Sequence, residues 1–135
     1  MYKKTITYTD YNGVEREEDF YFHLTEAELF DLENSISGGY TAMVKRIIAA
    51  KNAPELIKVF KEIMQLSYGV KSDDGRRFIK NKEVLEEFTQ TEAYSQLYMQ
   101  LATNADAAAE FVNGVLPANV SAAANGVAVL PGGKA

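Results

Sequence analysis

From Glu83 to Gly114 the chain carries its clearest helical periodicity, and that periodicity commits it to a helical core. Asn81 is a helix N-cap, and Val84, Leu85 and Phe88 share the inner side of the helix it opens. Thr89-Gln90-Thr91-Glu92 interrupts, and Thr91 caps a restart in which Ala93, Tyr94, Leu97, Tyr98, Leu101 and Ala102 recur three and four apart. Asn104 caps a last helix bearing Ala108, Phe111 and Val112, expected to end at Gly114. No catalytic motif interrupts these stripes. The stretch reads as a packing surface.

The start of the chain has a different period. Lys4, Ile6 and Tyr8 fall on one face of a strand and Thr5, Thr7 and Thr9 on the other. Asp10-Tyr11-Asn12-Gly13 is expected to turn the chain tightly, with Asn-Gly supplying positive φ angles. Val14 to His23 returns as a second strand, and the polar run Glu15 to Asp19 marks an edge or solvent-facing segment. A lone hairpin is marginal in water, so this one must pack on the helices that follow.

The first of those helices is announced by a capping box, Thr25 with Glu28, flanked by Leu24 and Leu29 in staple positions. It carries Leu29, Leu32 and Ile36, and should end near Ser37-Gly38-Gly39. A second helix runs from about Tyr40 to Lys51, with Met43, Val44, Ile47 and Ile48 as its stripe. Asn52-Ala53-Pro54 opens a third, with proline where its missing N–H costs nothing. Its apolar arc, from Leu56 to Leu66, is the widest, so it should be the most buried helix, stopped by Gly69. Tyr68 to Lys82 is the long irregular segment, with a turn at Ser72-Asp73-Asp74-Gly75 and an apolar pair, Phe78-Ile79, suited to a short strand. The expected fold is mainly α: an N-terminal β-hairpin packed on a bundle of about five or six short helices, with a flexible C-terminal tail. Residues 1–114 form one domain (1–24 hairpin, 25–114 helical), and 115–135 is a low-complexity tail whose only charge is Lys134.

Composition narrows the chemistry. The absence of cysteine excludes disulfides, thiolate metal sites and thiol nucleophiles, and the single histidine, His23, excludes any site of several imidazoles. A net charge of -5 argues against nucleic acid, which needs clustered Lys and Arg. No apolar run approaches the roughly 18 residues that span a bilayer, so no membrane partner is expected. Met1-Tyr2-Lys3-Lys4-Thr5 lacks the apolar stretch of a signal peptide, which makes the cytoplasm the expected compartment.

Each remaining polar cluster has a plain structural reading. Asp73-Asp74-Gly75 lacks the alternating oxygen ligands of a calcium loop and reads as a turn. His23 has no nucleophile or orienting carboxylate in a recognisable motif, so a structural role is expected. Ser37-Gly38-Gly39 lacks the lysine-hydroxyl pair of a phosphate loop. Glu17, Glu18 and Asp19 are adjacent on a strand and point to opposite faces, unlike paired catalytic acids. No catalytic residue, cofactor site or metal site is assigned. Arg76, Arg77 and Lys80 form the one basic cluster of an acidic chain and hence its best charged contact point. Tyr94, Tyr98 and Leu101 have core spacing, yet tyrosine also favours interfaces because its ring is apolar and its hydroxyl tolerates water. The candidate partner contacts are therefore Tyr94, Tyr98, Leu101, Arg76, Arg77 and Phe78.

Several stretches carry a family resemblance. Thr7-Tyr8-Thr9-Asp10-Tyr11-Asn12-Gly13, followed by Glu18-Asp19-Phe20-Tyr21-Phe22-His23-Leu24-Thr25, resembles the start of tail assembly chaperones from long-tailed phages of Gram-positive hosts. Asp74-Gly75-Arg76-Arg77-Phe78-Ile79-Lys80 and Thr89-Gln90-Thr91-Glu92-Ala93-Tyr94 are similar to later segments of that family, so the likeness spans about Met1 to Pro117. The resemblance implies a non-enzymatic protein that binds the tape measure protein, keeps it soluble and helps recruit tail tube subunits. It would act in the host cytoplasm and be absent from the finished virion. It also implies a frameshifted longer product, for which Gly132-Gly133-Lys134 is a run that slippery codons can encode. Self-association is a further expectation, because coating a long client gains from multivalency. The alternative is a structural virion protein, such as a head–tail connector or tail-completion protein.

Overall fold

The computed structural model describes residues 1–116; from 117 onward the expected tail, with its Gly132-Gly133-Lys134 run, lies outside the described residues. The chain runs β1 (Tyr2–Thr9), β2 (Glu15–Phe22), α1 (Glu26–Glu33), α2 (Tyr40–Ala50), α3 (Ala53–Ser67), β3 (Tyr68–Lys71), β4 (Phe78–Ile79), α4 (Lys82–Thr89), α5 (Glu92–Ala102) and α6 (Ala105–Val115). The mainly helical fold with an N-terminal hairpin is as the sequence predicts. The sheet is larger than expected, because β3 and β4 extend the hairpin to four antiparallel strands in the order β1-β2-β3-β4.

The first turn differs from the expected one. Asp10 N–H donates to Val14 O at 2.9 Å and Gly13 N–H to Asp10 O at 3.0 Å, which closes a three-residue loop, Tyr11-Asn12-Gly13. In such a loop only the last residue is left-handed. Gly13 has φ 81, while Asn12 does not have positive φ. The Asp10 carboxylate rigidifies the loop by accepting from the Asn12 and Val14 N–H groups and from Arg16 Nε. The guanidinium of Arg16, aided by those backbone donors, holds the Asp10 pKa below its usual value.

The predicted side-chain caps form: Thr25 and Glu28 make the capping box, and Asn81, Thr91 and Asn104 each accept from a first-turn N–H. Asn52, not singled out as a cap, does the same for α3. Three helix ends differ from the expected ones. α1 stops at Glu33, before Ile36, and α3 ends at Ser67, so that Gly69 lies within β3 rather than stopping a helix. α6 continues through Gly114 to Val115, and Gly114 packs against the ring of Tyr2. The rest of the expected α3 arc holds, but Leu66 is 42% exposed.

α3 is the centre of the core. It buries Leu56, Val59, Phe60, Ile63 and Met64 and packs against α2, α5, α6 and β2. Full burial of one such side chain contributes about 1.5–3 kcal/mol. Phe22, from the hairpin, is wholly buried beside Phe111 of α6. The two-stranded unit is thereby fastened to the helices.

Candidate functional site

The aromatic residues of α5 belong to a line of rings that crosses the molecule. Tyr2 meets Phe111 edge-on with centroids 5.5 Å apart, and Phe111 meets Phe22 at 5.1 Å. Phe22 leads to Tyr68 at 5.7 Å and Phe88 at 6.0 Å, which stack on each other at 4.2 Å. Phe88 meets Tyr94 at 5.4 Å, Tyr94 lies 6.0 Å from Tyr98, and Tyr98 meets Phe60 at 5.5 Å. Edge-to-face and stacked rings at these separations add roughly 0.5–1.5 kcal/mol per pair beyond burial.

The line comes to the surface at α5. Tyr94 and Tyr98 are half-buried and pack against the core, each with part of its side chain open to solvent. Burial, with the neighbouring Tyr98, raises the Tyr94 pKa above that of a free phenol, so it stays a neutral donor. Leu101 is 2% exposed, which corrects its place among the contacts: it is core and offers nothing to a partner in the folded chain. Met99, which the sequence did not single out, is 53% exposed on the same helix. Its helical position, off the stripe of Ala93, Leu97 and Leu101, was the signal that could have found it.

The other predicted contacts stand on the β3–β4 hairpin. Ser72 N–H donates to Arg77 O at 2.9 Å and Gly75 N–H to Ser72 O at 2.9 Å. The Asp74 carboxylate accepts from Ser72 Oγ and from the Arg76 N–H. Those bonds hold its pKa below the usual carboxylate value and keep it ionised. The aspartates thus build a turn, as expected. Arg76 and Arg77 are exposed at its tip and form no ion pair with a described residue. Phe78 is half-buried, edge-on to His23 at 6.0 Å. The six candidates therefore lie on two elements, α5 and the β3–β4 hairpin.

Lys80 is withdrawn from the basic cluster. Its Nζ donates to Glu28 Oε1 at 2.7 Å and to the backbone oxygen of His23 at 2.9 Å. It fastens the exit of β4 to the start of α1. His23 is held between these groups; burial first, then the N-terminal ammonium and Lys80, lower its pKa, against the pull of Glu28.

No group of three or more His, Asp or Glu side chains is placed to hold a metal among the described residues. Two open clefts lie among the described residues. One of about 460 Å³ opens where β3 departs from β2, between Glu18–Tyr21 and Tyr68–Lys71. Another, of about 300 Å³, separates β1 from α5. Half-buried rings, an exposed basic turn and free strand edges are features for binding protein.

The family described as phage tail assembly chaperone matches this chain over residues 1–128. No curated protein and no solved structure matches it.

Proposed function

The chain belongs to the phage tail assembly chaperone family, and we propose that it binds the tape measure protein, keeps that client soluble and helps recruit tail tube subunits around it. The observation that carries this reading is the family match, which extends over nearly the whole chain. The open edges of Tyr94 and Tyr98, with Met99 beside them, support it, because an apolar helical stripe is covered best by rigid amphipathic rings. Arg76 and Arg77 supply a charged contact on a second element. An acidic surface, from a net charge of -5, helps keep a coated client in solution.

The same proposal places the protein in the host cytoplasm during assembly, outside the finished virion, in long-tailed phages of Gram-positive hosts. It also makes the chain the short product of a frameshifted pair, with the residues after Leu116 linking to a second domain in the longer one. Non-slippery codons at Gly132-Gly133-Lys134, with no open frame beyond, would remove that part.

Co-expression with the tape measure protein of the same phage tests the main claim. The tape measure should move from the insoluble to the soluble fraction and co-purify with this chain. A tape measure that stays insoluble, or is equally soluble alone and fails to co-purify, overturns it.

A further inference from the structure

β1 is the outer strand of the sheet, and half of its backbone has no partner among the described residues. The Asp10 N–H to Val14 O bond makes those two residues a hydrogen-bonded pair. In an antiparallel ladder such pairs alternate with non-bonded ones. Counting back along the register, Tyr8 with Arg16, Ile6 with Glu18 and Lys4 with Phe20 are bonded pairs. Lys3, Thr5, Thr7 and Thr9 therefore turn their N–H and C=O groups away from β2. No described residue satisfies those groups.

Exposed edges of soluble proteins are normally blunted by charge, proline, a bulge, brevity or a covering element. β1 is eight residues long, pairs with β2 without a bulge, and carries no charge from Thr5 to Thr9. The other free edges are protected. β2 is charged at every position from Glu15 to Asp19, and β4 is two residues long. Beside the uncharged part of β1 lies the 300 Å³ cleft lined by Thr5, Ile6, Thr7, Gln96, Leu97 and Gln100. The α5 side of that cleft is also uncharged, since Glu92, at its start, is the one acidic or basic residue of α5. A charge-free strip thus runs from strand edge to helix on a chain of net charge -5.

We propose that this edge pairs with β1 of a second copy of the chain, antiparallel about a two-fold axis at Ile6. In that register Thr5 bonds Thr7 of the second copy and Lys3 bonds Thr9 of the second copy, so all the outward residues meet outward residues. The lysines stand at opposite ends of the paired strands. The two sheets become one, with both helical layers on the same side and the α5 helices facing each other across the axis. Gln96 and Gln100 then border the seam. The charge pattern selects a second copy over another partner. Two acidic copies repel except where neither carries charge, and a two-fold contact brings identical patches together. A basic partner would be drawn to the Glu15–Asp19 edge instead.

Amide hydrogen exchange and sedimentation of the full chain across a dilution series test this. At high concentration a dimer should form in which the Thr5, Thr7 and Thr9 amides exchange slowly, and both signals should be lost together on dilution. The Ile6 and Tyr8 amides, bonded to β2, should stay protected throughout. The exposed double substitution Gln96→Glu/Gln100→Glu should raise the dimer dissociation constant roughly tenfold or more without changing the circular dichroism. A monomer at every concentration overturns the proposal. So does a dimer whose Thr5, Thr7 and Thr9 amides exchange fast, or one indifferent to the two glutamates.

Discussion

The carboxylate of Glu33 caps a helix other than its own. α2 begins after Gly39, which has no side chain to offer, and Glu33 Oε1 accepts from the Thr41 N–H at 2.9 Å. Gly39 has φ 93, and a Cβ there would collide with the Glu33 carboxylate, so backbone conformation and close approach both require glycine. Glu33→Ala should cost about 1–2 kcal/mol as a lost cap, and Gly39→Ala should cost more, as read from denaturant melts. Equal stability of Gly39→Ala and the parent would contradict this packing. His23 carries a pH dependence. Its folded pKa lies below the ordinary 6.5, so near that pH the unfolded chain binds more protons. Its contribution is complete above pH 6.5 and is lost as pH falls through the folded pKa. His23→Gln should flatten that part of the stability profile, and an unchanged slope would assign it elsewhere. Residue-scale features were legible in the sequence where they are local. Thr25, Asn81, Thr91 and Asn104 bond within their own first turns. Glu33 was hidden because its partner lies on the next helix.

At the scale of elements, the β3–β4 hairpin shows why a segment can look irregular and fold regularly. β3 holds four residues, including Gly69, and β4 two, too few for any alternation to stand out. They are strands because Tyr21 and Phe22 pair with Gly69 and Tyr68, and Val70 and Lys71 pair with Ile79 and Phe78. The β2 partners of β3 are distant in sequence. Lys80 locks the arrangement by bridging to α1, with its side chain mostly buried. Lys80→Met should destabilise the chain by about 1–2 kcal/mol and raise hydrogen exchange in both β4 and the first turn of α1. Faster exchange in neither element would show that the bridge does not couple them. The helices, by contrast, were readable because their periodicity and caps are contained within single segments. Their ends were not: Gly69 and Gly114 signal helix stops in sequence, yet one sits in a strand and the other inside α6 against Tyr2.

Over the whole molecule, one aromatic line joins hairpin, sheet and helices and reaches solvent at α5. The helical spacing of Tyr94, Tyr98 and Leu101 was plain in the sequence, but spacing alone cannot say how far each ring is covered. That depends on Phe60 and Phe88, which reach α5 from α3 and α4. Leu101 lies inward and the tyrosines are half-buried, so they brace the core and leave an edge open to solvent. The most direct measurement is the affinity of purified wild-type and Tyr98→Ala chains for the soluble tape measure complex or its bound segment. Truncating Tyr98 should lower stability by about 1–3 kcal/mol, leave the chain folded, and weaken binding roughly tenfold or more, as for an aromatic anchor. Undiminished affinity in a folded Tyr98→Ala chain would contradict the assignment of this face to the client.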